Sequence, residues 1–411
     1  MHQPRFFDRM SHPHIATLIM ATAFGPVAMN LFLPSMPSIA HYFETEDAVV
    51  QLAVSLYLAA TAVLQLAIGP LSDRYGRRPI LLVCIIVGLI ATLGGIYAPT
   101  IEIFLAARIF QGTAIAGMVI SRAAIRDMVD TDEAASRIGY VTMAMALAPM
   151  IGPVVGGYLA EIFGWQATFW LIFGFGLAAF CLVWADMGET IHSLSGSFRS
   201  QLLAYPELIR SRRFLGYALT TAFASGAFFS FVGGSPFLAN DFYHLPESHQ
   251  GYYFALVAAG YVCGNYLSGR YSRRFGINPM SVGGGVVSSA GMLLALLFIP
   301  LGWNHPIAFY GPAFSIGIGN GMTMPNATAG LVSARPRLAG SASGLGGFIQ
   351  LGGGAFLSGL AAQLLGPESG PLPLVLIMLV CSLLSMVTAL YVVFVARSLA
   401  RAEQAGLEHS H

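Results

Sequence analysis

The stretch GPLSDRYGRRP, residues 69–79, separates two apolar runs near the start of this chain. The runs cover about 48–68 and 79–98, and each approaches the roughly 20 apolar residues that cross a bilayer as a helix. Three arginines and one aspartate stand between them, with glycines that allow a tight turn. The pattern predicts two membrane-spanning helices joined by a short, positively charged turn.

The composition of the whole chain is that of a membrane protein. Its 411 residues are 56% hydrophobic and 9% charged, whereas an ordinary soluble domain is about 25% charged. So few charges cannot cover a water-facing surface of this size. The sequence has no basic patch with interleaved aromatic residues, so we expect no nucleic-acid partner. The four cysteines lie far apart without metal-ligand spacing, so we expect no metal site.

Twelve apolar runs are long enough to span a bilayer. They lie at about 14–36, 48–68, 79–98, 101–121, 138–160, 165–185, 214–236, 250–268, 279–300, 306–327, 340–364 and 372–396. With twelve spans, nineteen of the twenty arginines fall on one side, and the last, Arg108, lies inside a run. Because positive charge stays in the cytoplasm, the sequence predicts an all-α membrane protein of twelve helices with both termini cytoplasmic.

The chain also repeats itself. The longest hydrophilic stretch, about 186–213, divides the runs into six plus six, and LSDRYGRR at 71–78 agrees with LSGRYSRR at 267–274 in six of eight positions. This alignment places Gly269 opposite Asp73. Two parallel repeats around a central site are a transporter architecture. We therefore predict pseudo-symmetric six-helix bundles at 1–185 and 214–411, joined by a cytoplasmic linker at 186–213.

The stretch 69–79 resembles the signature loop of the major facilitator superfamily, which lies between the second and third helices. The matching residues are Gly69, Asp73, Arg74, Gly76, Arg77 and Arg78. The resemblance implies the fold of that superfamily and a gating loop that latches its two halves on the cytoplasmic side. It also implies that Asp73 faces the start of the eleventh helix, near Gly340.

RIFQG, at 108–112, resembles the Arg-x-x-Gln-Gly element of the same superfamily. Arg108 and Gln111 are three residues apart and share a helix face. An arginine in mid-membrane costs roughly 2.5–3.5 kcal/mol to insert, so it should face the bundle interior or a cavity. Two roles stay open for Arg108: a structural one, bonded to backbone carbonyls, and a direct one in substrate or proton handling.

APMIGPVVGG, at 148–157, resembles the signature of the antiporter branch. Gly152, Pro153, Gly156 and Gly157 match it, and Ala148 stands where glycine is usual. Small residues four apart allow close helix contact. This resemblance favours export over import.

A narrower resemblance covers most of the first half. GPVAMNLFLPSMP at 25–37, the segment 51–79 and SRAAIRDMV at 121–129 resemble the bicyclomycin/chloramphenicol-resistance branch of drug–proton antiporters. The resemblance implies a multi-pass exporter of the bacterial inner membrane that is driven by the proton gradient and needs no cofactor. That branch usually has an aspartate in the first helix, where this chain has Asn30.

Asn30 leaves the coupling to protons open, because it cannot take up a proton at physiological pH. None of the nineteen acidic residues falls in mid-membrane. Coupling could have moved to Glu102 or Asp127, or to Asp73. The protein could instead have another stoichiometry or be a facilitator, or Asn30 could only bond a neighbouring helix. Our hypothesis is that Asn30 lines the cavity and that Glu102 is the relocated proton site.

Polar and aromatic residues inside the runs are the candidates for substrate contact. They are Asn30, Tyr57, Arg108, Gln111, Met143, Phe231, Tyr261, Asn265, Asn320 and Gln350. Such a cavity, apolar with few charges, suits small neutral or weakly polar molecules.

These features predict a secondary transporter that exports drug-like molecules by alternating access, with protons and the lipid bilayer as its other partners. A monomer is expected. The alternative is a facilitator or an exporter of an endogenous sugar, amino acid or siderophore. A membrane enzyme is not expected, because the ten histidines lie in tails and loops. The sequence has no phosphate-binding loop of the kind that ATP-driven transport needs, so it does not predict such transport by this chain alone.

Overall fold

The computed structural model describes residues 13–128, 131–191, 205–299, 301, 305–335, 338–364 and 370–408. Within these ranges the chain is helical and holds no strand, which confirms the all-α class. The helices are α1 (Ile15–Asn30), α2 (Met36–Tyr42), α3 (Asp47–Tyr75), α4 (Arg77–Ile96), α5 (Ile101–Gln111), α6 (Ala116–Met128), α7 (Thr131–Phe163), α8 (Gln166–Asp186), α9 (205–210), α10 (Arg212–Phe237), α11 (Glu247–Phe275), α12 (Ile277–Phe298), α13 (Ile307–Ser333), α14 (Ala339–Leu364) and α15 (Leu372–Glu408).

Nine helical segments among the described residues are long and apolar enough to cross a membrane. Helix occupies each of the twelve predicted runs. The number of spans and the side on which each terminus lies stay predictions.

Helix α1 breaks where the prolines of the sequence require it. Proline lacks an N–H, so Pro34 cannot donate to the carbonyl of Asn30 four residues earlier. Helix α1 ends at Asn30, a 3-10 turn follows at Leu33–Ser35, and α2 begins at Met36. The Asn30 amide donates back to the carbonyl of Pro26 at 2.8 Å. The first predicted span is therefore two helical pieces rather than one continuous helix.

The charged stretch 69–79 is almost entirely helical, so its prediction as a loop is wrong. Helix α3 continues to Tyr75 and α4 begins at Arg77, leaving Gly76 alone as the turn. Gly76 has φ +99° and ψ 148°, a conformation that residues with a side chain rarely adopt. One glycine can thus reverse the chain between two long helices.

The same turn recurs in the second half, and it corrects the register of the repeat. Helices α3 and α11 both have 29 residues, and α11 is followed by Gly276 with φ +89°. The structural repeat therefore pairs Gly76 with Gly276 and Asp73 with Arg273. The alignment of LSDRYGRR with LSGRYSRR is four residues, about one helical turn, out of register. An acid is still absent from the second copy.

Two compact units make up the chain. The first comprises Met1–Phe198, Val232–Ala258 and Ser358–Gly370, and the second comprises Arg199–Phe231, Ala259–Leu357 and Pro371–His411. The bundle boundaries predicted from sequence, with the linker at 186–213, stay predictions.

The core of the first unit joins helices α1, α4, α6 and α8. Fully buried apolar side chains from these helices pack together, among them Leu18, Leu81, Ile120 and Ile172. Asp186, the last residue of α8, is also buried. Its Oδ2 accepts hydrogen bonds from the His14 N–H at 2.8 Å and the Thr17 hydroxyl at 2.6 Å. A carboxylate at the start of α1 satisfies free N–H groups of that helix.

The second unit has its own apolar core. Leu208 of α9, Phe214 and Tyr217 of α10, Leu331 of α13 and Val392 of α15 are buried in one cluster. Leu208 falls in the predicted linker at 186–213, so part of that linker contributes to the folded core of the second unit.

Candidate functional site

The best-defined polar site of the first unit surrounds Arg108, which is 1% exposed. Its guanidinium lies over two aromatic rings, 4.1 Å from the Phe32 centroid and 4.7 Å from the Tyr57 centroid. Its Nη1 donates to the carbonyl of Ala28 at 3.1 Å and to the side-chain oxygen of Gln111. The site thus combines a buried cation with two cation–π contacts.

A chain of hydrogen bonds holds this site in place. The Gln111 amide donates to the Thr92 hydroxyl at 2.8 Å, and Thr92 donates to the Gly88 carbonyl at 2.7 Å. The Tyr57 hydroxyl donates to the Gly25 carbonyl at 3.0 Å. Bonds between α1, α3, α4 and α5 therefore fix the orientation of the guanidinium. Thr92 was missed from sequence, because one threonine in an apolar run has no distinguishing pattern.

Asn30 does not join this site. Ala28 and Phe32 contact Arg108, whereas Asn30 lies against α7, where a Cβ built on Gly152 would be 3.2 Å from the Asn30 Cβ. Its amide is bonded to Pro26 in its own helix. The structure therefore brings together Tyr57, Arg108 and Gln111 but not Asn30. The side chain of Met143 lies outside the described part of the chain.

The antiporter-type glycines make two close contacts of α7. A Cβ built on Gly156 would overlap the carbonyl oxygen of Leu31, just after α1. A Cβ built on Gly157 would overlap the carbonyl oxygen of Glu247, at the start of α11. Gly152 and Pro153 are buried in the same stretch. Glycine at these positions lets backbones approach directly.

The contact between α7 and α11 also carries polar groups that sequence reasoning missed. The Glu161 carboxylate accepts the Ser248 N–H at 3.1 Å, and Tyr158 and Tyr252 share a hydrogen bond. Glu247 accepts a hydrogen bond from Ser38. Burial raises the pKa of Glu247, which precedes the predicted span at 250–268, while the Ser38 bond opposes that shift. Only their position near helix ends distinguished these acids in the sequence.

At the opposite end of the first unit, Arg77 organises the turn between α3 and α4. It pairs with Asp73 and, through Nε at 3.1 Å, with Asp127 of α6. Glu189 accepts the backbone N–H groups of Arg77 at 2.9 Å and Arg78 at 3.3 Å. A carboxylate at the start of α4 complements the helix dipole. Glu189 was missed because it falls in the predicted linker.

The remaining residues of the predicted gating loop lie around this turn. Gly69 has open space where a Cβ would be, and the Arg74 guanidinium stacks on the neighbouring Tyr75. Arg78 also donates to the carbonyl of Trp184 at 2.9 Å. The docking of Asp73 near Gly340 would join the two units and stays a prediction.

The predicted proton sites occupy very different positions. Glu102 is exposed in the first turn of α5, beside an open surface depression of about 450 Å³. Its six-residue separation from Arg108 corresponds to about 9 Å along the helix. Asp127 is half-buried and paired with Arg77. The structure does not bring either acid to the guanidinium of Arg108.

The candidates in the second unit lie on four helices, α10, α11, α13 and α14. Phe231 stacks on Phe309 with centroids 6.1 Å apart, and the Asn265 amide donates to the carbonyl of Tyr261 at 2.8 Å. Asn320 lines a cavity of about 10 Å³, enough for about one water molecule. Gln350 is half-buried in α14.

Comparison with known proteins identifies the family. The family model described as Major Facilitator Superfamily matches residues 18–359. The chain belongs to the Major Facilitator Superfamily. It is therefore a multi-pass membrane transporter and not an enzyme.

Curated relatives confirm the narrower resemblance. A bicyclomycin resistance protein homolog of Haemophilus influenzae is 29% identical over 365 residues, 87% of this chain and 91% of the relative. Multidrug resistance protein D of Escherichia coli is 28% identical over 375 residues, 89% of this chain and 92% of the relative. The chain is thus similar to drug-resistance transporters over most of its length.

A solved structure supports the fold. A bacterial homolog of the human lysosomal transporter Spinster, in an inward-facing and occupied conformation, matches with a TM-score of 0.70 and 16% identity. The match covers 93% of this chain and 96% of that one. At this identity the likeness concerns the fold alone.

Proposed function

We propose that this transporter exports small neutral or weakly polar drug-like molecules across the bacterial inner membrane, by alternating access and in exchange for protons. The similarity to drug-resistance transporters over most of the chain is the observation that carries the proposal. The close glycine contacts of α7 and the buried site at Arg108 support it, because an exporter needs closely packed helices and a polar group within an apolar bundle.

In the proposed cycle the two six-helix repeats rock around a midplane site. The turn at Gly76, with Asp73 and its arginines, stabilises the arrangement that is closed to the cytoplasm. Both termini are cytoplasmic, the transporter acts as a monomer, and the proton gradient rather than a cofactor supplies the energy.

The second candidate is a facilitator, or an exporter of an endogenous sugar, amino acid or siderophore. Asn30 favours this candidate, because it occupies the place of the usual acid and its amide is occupied by its own helix. An amide cannot carry the proton that couples transport. Glu102 and Asp127 are the acids we propose to test as replacements.

A susceptibility panel in an efflux-deficient bacterial host tests the proposal. Expression of the wild type should raise the inhibitory concentration of bicyclomycin or chloramphenicol measurably above that of the host without the transporter. A protonophore should abolish this protection. Protection against none of the drugs contradicts drug export, and drug efflux that persists with the protonophore favours the facilitator.

Asn30→Asp identifies the role of the first helix. If the asparagine at position 30 is the reason that coupling is weak or absent, restoring an acid there should make export by the variant more sensitive to external pH than export by the wild type. Gln363→Glu is the control, since it turns an amide into an acid at an exposed position of α14. Identical pH profiles for the wild type and both variants would argue against coupling through this position. Full pH-driven transport by Glu102→Gln in proteoliposomes would exclude Glu102.

A further inference from the structure

The guanidinium of Arg108 is a buried cation whose charge no acid of the described chain neutralises. It is 1% exposed, and it takes part in none of the ion pairs within the described part of the chain. Charged side chains are almost never fully buried unless they are paired. Leaving a buried charge unpaired is destabilising, so an arginine kept in this state indicates a missing partner.

The unused donors of Arg108 form one edge of the group. Nη1 is satisfied by Ala28 and Gln111, whereas Nε and Nη2 have no hydrogen-bond partner among the described residues. Nε–H and one Nη2–H point in parallel, which is the fork that binds both oxygens of a carboxylate. Nη1 is therefore bonded to protein oxygens, whereas the Nε–Nη2 edge has the geometry to bind an anion.

No acid among the described residues near Arg108 supplies that anion. Asn30 is an amide that lies against Gly152, and Glu102 is exposed at the start of the helix. The aromatic rings of Phe32 and Tyr57 contact the guanidinium. They also surround it with apolar surface, which suits a ligand with one charge on an apolar body.

We propose that the Nε–Nη2 edge of Arg108 binds the carboxylate of an apolar monoanion, so that the transported molecules include aromatic weak acids. This rests on the proposed function as an exporter and adds a substrate class to its neutral drugs. One uncompensated cation matches one carboxylate. Because Arg108 is buried, the anion reaches it only when the covering side chains move, as alternating access requires.

Equilibrium binding to the purified full-length protein in detergent tests this site. The probes are radiolabelled benzoate and its neutral isostere, benzamide. Benzoate should bind about ten-fold more tightly than benzamide or better, because a hydrogen bond to a charged group outweighs one to a neutral group. Arg108→Gln should remove the difference, and Arg108→Lys should recover only part of it, since lysine lacks the fork.

Arg270→Gln is the control, because it removes the same charge from an exposed position of α11. It should bind both probes like the wild type. Equal affinity of the wild type for benzoate and benzamide would overturn the proposal, and so would unchanged benzoate binding by Arg108→Gln. The comparison of the two probes on the wild type decides the question even if Arg108→Gln fails to fold.

The outcome is separable from that of the proposed function. Protection against bicyclomycin or chloramphenicol without preference for benzoate would leave drug export standing and remove the anion site. Preferential benzoate binding without any drug protection would support the anion site and contradict drug export.

Discussion

At the level of single residues, the identity of a side chain matters less than the direction in which the fold turns it. Arg108 and Asn30 are both polar residues in apolar helices. Arg108 contacts two rings and a carbonyl from other parts of the first unit, whereas Asn30 bonds within its own helix. The sequence identified both as functional candidates, but only the structure separates their environments.

Gly156 provides a prediction at this level. Gly156→Ala should destabilise the protein strongly, by about 2 kcal/mol or more, because its Cβ would overlap the Leu31 carbonyl oxygen. Gly174→Ala is the matched control, since nothing lies within 4 Å of its Cβ in α8. Alanine is also the better helix former, so this control should be neutral or slightly stabilising. Thermal unfolding of the detergent-purified variants measures both, and similar melting temperatures would contradict the α7 contact.

Among the secondary-structure elements, the turn after each long helix shows how the repeat is built. Helices α3 and α11 have the same length, and each ends one residue before a glycine with positive φ. The sequence similarity around them is shifted by one helical turn, because arginines on a helix surface can move by a turn and remain at the same side. The glycine cannot move, since it alone permits the backbone conformation of the turn.

A comparison of two turn variants tests this account. Gly276→Ala should lower the free energy of unfolding by about 1–3 kcal/mol, because alanine is strained at a φ of +89°. No steric overlap adds to this strain, since the nearest atom, of Pro279, is 3.8 Å from the added Cβ. Gly76→Ala has the same strain, and its Cβ would also lie 2.5 Å from Glu189. The Gly76 variant should therefore be the less stable one. In a Glu189→Ala background, which itself loses the bonds to the Arg77 and Arg78 N–H groups, Gly76→Ala should lower the melting temperature less than it does in the wild type. Gly276→Ala should lower it equally in both backgrounds, and an unchanged effect of Gly76→Ala would exclude the Glu189 contact.

For the molecule as a whole, the distribution of arginine predicts the orientation. With twelve spans, the arginines outside the apolar runs fall on one side, and this side should face the cytoplasm. The structure describes helix in each of the twelve predicted runs, and the number of crossings stays a prediction.

Reporter fusions test this orientation directly. A fluorescent protein that matures only in the cytoplasm should be bright when fused after His411, and alkaline phosphatase fused there should be inactive. Phosphatase inserted after His244, between α10 and α11, should be active. An active phosphatase at the C-terminus would place that end in the periplasm and would overturn the predicted topology.

Hydropathy, charge and spacing were enough to predict the helical class and the apolar segments. The resemblance to a known family supplied the motifs, including Arg108 and Gln111, and Tyr57 was predicted as an aromatic residue with a polar group inside an apolar run. These properties act along the chain, so they can be read without knowing the fold. They did not predict the helical state of 69–75, the register of the repeat, or the roles of Thr92 and Glu189. They also placed Asn30 in the cavity, a hypothesis that stays open.

Which groups meet could be learned only from the packed helices. The free edge of Arg108, the backbone contacts of Gly156 and Gly157, and the caps supplied by Asp186 and Glu189 all depend on residues far apart in the sequence. The physical reason is that hydrogen bonds and close packing extend only a few ångströms. A segment therefore encodes that it will be a helix in lipid, while its partners depend on how all the helices pack.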